Sequence, residues 1–525
     1  MRPRLILGVC ATVAVGLSAA LIAGTACRVD VPYYCCTTQQ SCDVDNGGGV
    51  VTGCLPRYPD RPYCDDQGAF PASEGIGRTC IADPHPGLGT ICITAADCTD
   101  ATYSACIDQH CQGCSGAADC TAVEPVCSDA HACIGCTQEA ECSSYSATPH
   151  CGASGTCVAC RDGGDCTDPS APACDSATAS CRACRADAEC GSEICDEGTG
   201  KCVPESEIVY VDGTNGSATP GCTKVAPCKT VTQGVAAVSG MRKLVKIRPG
   251  SYSESVTISD RSMKIVADGV SLKPGSTGEP GLNILGASTV AVEGLRVHSG
   301  GGVGGDGVRC TGGGGTPVLA MRRVSIEDNG GQGLVANDCV ITLERSTVTG
   351  NDAGGISIIR SDFSITNNVI IRNGGPDSAF GGVSIFQKPP SGTAGAKFEF
   401  NTVVGNASQP TALAAGGVIC ASVTAPLSMG SSIVYGNTGT DKQVDGGNCS
   451  WTYSDIESAT STVPGAGNIN ATPMFVSEAA SDYHIQPGSP CINAADPAAT
   501  INVDIDGDSR PVGARSDMGA DEVLQ

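Results

Sequence analysis

Aromatic side chains make up 4% of the 525 residues, and there is a single tryptophan, Trp451. An ordinary aromatic-rich core is therefore excluded as what holds the chain together. Positive charge is also scarce, with 31 Lys and Arg against 55 Asp and Glu and a formal net charge of -24. Nucleic-acid binding needs a basic face for the phosphates, and the chain offers no basic stripe for anionic lipid, so both partner classes are set aside. In excess are glycine, at 70 residues, and cysteine, at 35. The length allows two or three domains.

The first residues, MRPRLILGVCATVAVGLSAALIAGTAC, combine two arginines, an apolar run over 5–23 and a small-residue exit at Gly24, Thr25 and Ala26. This predicts an export signal over 1–26. A retained membrane anchor fits less well, because Arg28 and Asp30 follow without a cationic cluster. Cys27 stands where a lipid-modified N-terminal cysteine would stand, but Gly24 occupies the place where a lipobox carries leucine. Lipidation and oxidation of Cys27 both remain open, and parity leans to oxidation, since 34 cysteines follow residue 26. A membrane contact is expected only through such a lipid, and the expected location is extracellular or the cell surface. Exported thiols meet an oxidising compartment and form disulfides.

Cysteines recur from Cys92 to Cys202 in five four-cysteine units that begin at Cys92, Cys114, Cys136, Cys160 and Cys184. An acid precedes each second cysteine: Asp97, Asp119, Glu141, Asp165 and Glu189. Such regularity marks a repeat. The units meet in C-x-x-C pairs such as Cys111/Cys114, a zinc spacing in a cytosolic protein, but export favours disulfides. Residues 92–202 contain only Tyr103 and Tyr145 as aromatics, too little to offset ordering entropy, whereas two cross-links per unit stabilise by about 2–4 kcal/mol each. Four cysteines allow three pairings, so connectivity stays open. The arm carries 17 Asp and Glu against 4 Lys and Arg, as expected of a solvated stalk. One recurring acid per unit is too few for a tight calcium site. Before the arm, residues 27–91 are expected to form a small cysteine-rich head. The repeats resemble those of bacterial cysteine-rich surface proteins, which implies spacing or contact.

Beyond the arm, Asn329, Asn351 and Asn373 follow one another at intervals of 22, with looser copies at Asn406 and Asn437. Three residues before each is apolar: Ile326, Val348, Ile370, Val403 and Val434. Glycine and a further apolar residue follow, as in Gly333-Leu334 and Gly355-Ile356. Three short strands per turn of about 22 residues describe a parallel β-solenoid, in which stacked asparagines pass amide hydrogens from layer to layer. Asparagine's tolerance of left-handed backbone suits the corner, and the GG pairs suit positive φ.

With the opening IVYVDGTNGSATPGCTKVAPCKTVTQGVAAV and the turn VKIRPGSYSESVTI, residues 207–525 resemble right-handed parallel β-helix proteins, whose fold is that of pectate lyases. DYHIQPGSPCINAAD and DIDGDSRPVGARSDMGADE resemble the closing segment of choice-of-anchor surface proteins. The expected fold is mainly β: a right-handed parallel β-helix over 203–480 with a closing or capping segment over 481–525, preceded by the disulfide-rich arm of little regular structure. Cys222 and Cys228 are expected to close the opening loop, with Cys310/Cys339 and Cys449/Cys491 on neighbouring turns and Cys420 unassigned.

The resemblance implies architecture and names no activity. Pectin-cleaving relatives need a calcium-binding carboxylate cluster with an arginine base, or paired carboxylates, and the hydrolase runs NTD and GHG are absent. His298 and His484 are isolated in the sequence. Arg323 and Arg345 each stand six residues before a ladder asparagine, so both should point outward on adjacent turns. Either Glu344 or Glu327 neutralises them, or they hold the carboxylate of an anionic glycan. Asp504, Asp506 and Asp508 alternate in DIDGDS as a calcium loop would, although Arg515 stands where an EF-hand has glutamate; a simple turn is the alternative. The expected role is a cell-surface structural or adhesion-type protein that presents the coil to polysaccharide or a surface partner, without catalysis and without a cofactor beyond calcium. A polysaccharide lyase or hydrolase, and a passive coat component, are the alternatives.

Overall fold

The structure, a computed structural model, describes residues 63–64, 80–81, 95–99, 105–107, 110–218, 221–299, 305–387, 395–410, 415–422, 426–439 and 442–524. The leader, Cys27 and all of the head but two short paired segments lie outside the described residues. Two compact units are formed: Met1–Arg185 with Glu197–Lys201, and Ala186–Asp196 with Cys202–Gln525. The division does not fall between 202 and 203. Ile194, from the last cysteine repeat, packs with Ile208, Tyr210 and Val266 of the coil, and Tyr210 Oη donates to the Ser192 carbonyl at 2.8 Å. Part of the last repeat is thereby a cover for the coil's first outer face.

In the arm the pairing left open by the spacing joins first cysteine to third and second to fourth: Cys114–Cys127 with Cys120–Cys133, Cys136–Cys151 with Cys142–Cys157, and Cys160–Cys174 with Cys166–Cys181. The C-x-x-C sulfurs are thus oxidised. Each of these units pairs two short antiparallel strands, as Val126–Cys127 with Cys133–Ile134, beside one 3-10 turn such as Ala117–Asp119. The recurring acid closes that turn. Asp119 accepts from the Ser115 and Gly116 amides, Glu141 from Thr137 and Gln138, and Asp165 from Arg161. A carboxylate taking orphan amides at the start of a helical turn is a capping interaction, so the acid's recurrence is a local folding device.

The coil has three strands per turn. Leu334–Asn337, Val340–Glu344 and Thr347–Thr349 make one turn, and Ile356–Ile359, Asp362–Thr366 and Val369–Ile371 the next. Stacking produces parallel sheets of 17 and 8 strands. The apolar residues singled out by spacing align in register as Ile326, Val348, Ile370, Val403 and Val434, and Ile456 extends the column. All six are buried. Period-two alternation puts them inside and their neighbours outside. A short helix, Val231–Ala237, begins at Thr230, whose side chain accepts from the Gln233 amide, and its buried Val231 and Val235 join the same core.

The asparagine ladder is present and buried. Nδ2 of Asn329, Asn351, Asn373 and Asn406 donates to Oδ1 of the next at 2.8, 2.8, 2.9 and 2.8 Å, and Asn437 ends the column on Gln443 Oε1 at 2.8 Å. Each Nδ2 also reaches a carbonyl one layer back, as from Asn351 to Ile326 at 3.1 Å. Two details differ from expectation. The left-handed corner residue is the one before each asparagine: Asp328, Gly350, Arg372, Gly405 and Gly436, with φ between 49° and 66°; the asparagine itself points inward. The second glycine of the GG pairs serves close approach. A Cβ on Gly355 would meet the Gly382 carbonyl oxygen at 2.4 Å, and one on Gly382 the Gly417 oxygen at 2.7 Å.

A second ladder runs five residues earlier. The amide of Val324 donates to Ser346 Oγ, Ser346 to Asn368 Oδ1, Asn368 to Asn401 Oδ1, Asn401 to Ser432 Oγ and Ser432 to Ser454 Oγ, at 3.0 to 3.2 Å. Two polar columns thus satisfy the buried backbone at two of the corners.

The C-terminal segment lies along the side of the coil. Its strands Phe475–Ser477 and Asp482–Ile485 pair antiparallel, and Phe475, Tyr483, Ile485, Ala495 and Met518 cover Ile371, Phe400, Val404 and Ile433. Ile371, Val404 and Ile433 face outward on their strands and Phe400 stands at a corner, and exposing them would forgo roughly 25 cal/mol per Å² of buried apolar area. Backbone seams fix the cover: Gly519 donates to the Ser431 carbonyl at 2.9 Å, and Ala520 to Thr402 Oγ1 at 3.0 Å.

Cys222–Cys228 and Cys310–Cys339 form as expected. The proposed Cys449–Cys491 pair does not. Cys449 joins Cys420 with the same 29-residue separation as Cys310–Cys339, across a corner between strands of the two sheets. Cys491 remains a buried free thiol, its Sγ 3.3 Å from Asp455 Oδ2, with burial raising its pKa.

Two predictions follow from this packing. Asn373→Ala removes the acceptor of the Asn351 amide and the donor to the Val348 carbonyl, so the coil's unfolding free energy should fall by about 1–3 kcal/mol for each buried group left unpaired; urea unfolding indistinguishable from wild type would contradict the ladder's role. In the second, Cys491 resists alkylation in the native protein and reacts after denaturation without reductant, as read by peptide mass mapping.

Candidate functional site

Glu293, Arg322 and Glu344 stand in register on the outer side of one sheet. Arg323 and Arg345 follow at the corner, both left-handed with φ of 51° and 49°, which turns their side chains off the coil as expected. A third carboxylate, Glu293, joins the two that spacing offered. Glu327 faces Arg296, whereas Glu293, one layer back, forms ion pairs with Arg323 Nη2 at 2.8 Å, Lys264 Nζ at 3.0 Å and Arg322 Nη1 at 3.6 Å. Its residue is only 8% exposed, so these contacts act where water screens them weakly. Arg345 does not share it. Its Nε donates to the Ile505 carbonyl at 3.1 Å, and burial followed by the charges of Arg322 and Arg323 pushes its pKa down, with Glu344 and Asp504 opposing. Lys264, Arg322, Arg323 and Arg345 thus gather beside Glu293, Glu344 and Asp504.

In the DIDGDS loop the first aspartate serves the turn. Asp504 is buried, and its Oδ1 accepts from the Asp506, Gly507 and Asp508 amides at 3.0, 2.9 and 2.8 Å while Oδ2 takes the Glu522 amide. That carboxylate shapes the turn. The three aspartates do not bring ligand atoms together as a set; Asp506 instead turns to His484, its Oδ2 2.8 Å from Nε2.

His298 is held by Ser271 at 2.7 Å. His484, isolated in the sequence, is not isolated in space. Its Nδ1 lies 2.5 Å from Asp482 Oδ1, and Asp521 stands nearby. Burial pulls the imidazole down, but the hydrogen bonds to Asp482 and Asp506 outweigh it and raise the pKa to about 9. Sequence spacing offered one hint, since Asp482 and His484 share a face of their strand.

Deeper in the same segment, Arg510 stacks over the Phe400 ring at 4.5 Å and lies 3.4 Å from Glu522 Oε2. Glu522 and Asp517 accept buried amides. Burial raises both of their pKa values.

The sequence profile of the family described as right handed beta helix region matches residues 254–445. Among solved structures, the crystal structure of pectate lyase Pel9A is similar at 16% identity and a TM-score of 0.35, over 60% of this chain and 96% of that one. No curated protein sequence matches. The coil is a right-handed parallel β-helix, preceded by a disulfide-rich arm. Among the described residues no helix is long and apolar enough to cross a membrane.

Because the folded pKa values of Asp517 and Glu522 are raised, the protonated acids favour the docked segment: their contribution is full below the ordinary carboxylate range and is lost as pH rises through the raised values. Hydrogen exchange at Asn493 and Val523, corrected for intrinsic rate, should accelerate as pH rises through that interval, and Asp517→Asn should flatten the trend. A trend of opposite sign would contradict the assignment.

Proposed function

We propose that the chain is an exported surface protein that binds an anionic polysaccharide along the coil without transforming it. The observation that carries this is the cluster of Lys264, Arg322, Arg323 and Arg345 within four layers along one side of the coil. Layers about 4.8 Å apart offer a polymer repeated contacts, and guanidinium groups suit carboxylates through paired N–H donors. Lyase chemistry needs a calcium-binding carboxylate cluster beside a basic side chain. Here Glu293 is held by cations, and Glu344 stacks directly on Arg322, which supports binding over elimination.

The disulfide pairing bears on attachment. With Cys491 reduced, the cysteines that follow residue 26 leave an odd number to pair, which reverses the parity that favoured oxidised Cys27. Lipid attachment at Cys27 fits this count, and the mass of the mature N-terminal peptide tests it.

For the binding reading, titration calorimetry with polygalacturonate and alginate should give saturable affinity that weakens steeply with salt, and a neutral glucan should give none. Arg322→Gln with Arg323→Gln should weaken it tenfold or more, about 1.4 kcal/mol. Equal affinity in the double variant would overturn the site. Accumulation of unsaturated ends or reducing ends would replace binding by catalysis.

A further inference from the structure

We propose that His484, Asp506 and Asp521 form a binding site for a divalent transition-metal ion of the zinc type, with Asp482 as the group that orients the imidazole. One donor atom from each of the three lies within 4.8 Å of the others. Donors bound tetrahedrally at about 2.1 Å stand about 3.4 Å apart, so small rotations suffice. Metal-binding histidines commonly give their second ring nitrogen to a carboxylate, and here Asp482 takes Nδ1 at 2.5 Å while Nε2 faces Asp506. The backbone fixes the partners: the turn wound on Asp504 Oδ1 aims Asp506, and Asp521 is held by the Ile485 amide.

Asp521 is 8% exposed, and its Oδ2 takes the Ile485 N–H at 2.7 Å. With that oxygen committed, Oδ1 is the atom that Asp521 offers to an ion beside His484 and Asp506. The imidazole donor and the set of three ligands suit zinc-like ions; calcium prefers six or more oxygens. The ligands come from the strand Asp482–Ile485, the DIDGDS turn and the chain's last residues, so one ion joins three parts of the segment that covers the coil.

The test is calorimetric titration of the disulfide-intact full chain with zinc chloride alone, with melting followed in parallel. Expected are one saturable site per chain and a higher melting temperature with zinc, both abolished by His484→Gln and by Asp506→Asn, with Asp482→Asn weakening affinity by about 10- to 100-fold. His484 and Asp506 are exposed, so their variants should fold, as zinc-free melting verifies; should either not, the other decides. Absence of a one-to-one event, or equal affinity in the folded variants, would mean adventitious binding only and overturn the site.

Discussion

Registered stacking of parallel turns is the constraint on which the rest of the coil depends. Once each layer sits one strand spacing above the last, every inward position becomes a column, and a column must be satisfied along its whole length. Apolar columns do this by burial, as from Ile326 to Ile456. Polar columns need a side chain that donates one way and accepts the other. Asparagine does both, and serine does so over a shorter reach. Glycine columns arise where one layer's carbonyl oxygen comes too close for any Cβ.

How much of this was readable depended on whether a column kept one letter. The first ladder is asparagine at every layer, and its interval of 22 exposed it. The second mixes Ser346, Asn368, Asn401, Ser432 and Ser454, so no single residue type runs through the column and chemical equivalence appears only in space. Cys449 and Cys491 are both near the end of the coil and so fit neighbouring turns in the sequence, whereas in space Cys420 stands across the corner from Cys449. The side cover was foreshadowed by Ile371, Val404 and Ile433, apolar where a solvated strand face would be polar, yet nothing local said which segment would cover them.

The sites show the same division. Arg323 and Arg345 were placed outward by alternation alone, but their partners Glu293 and Ile505 come from another layer and from residue 505, which spacing within one repeat cannot reveal. The His484 cluster gathers residues from 482 to 521 in a stretch without periodicity. The arm is the converse case, since its recurring acids were visible at once and their role became plain only when the amides that they cap were seen.

The central claim is that equivalent residues lie directly above one another through the coil. Spin labels introduced through non-natural residues at Ser259 and Phe386, partners across five layers on one side, measure it by pulsed electron resonance. At about 4.8 Å per layer the account predicts one narrow distribution centred roughly 24 Å apart, broadened only by the label arms. A broad distribution, or a centre at twice that distance, would contradict it.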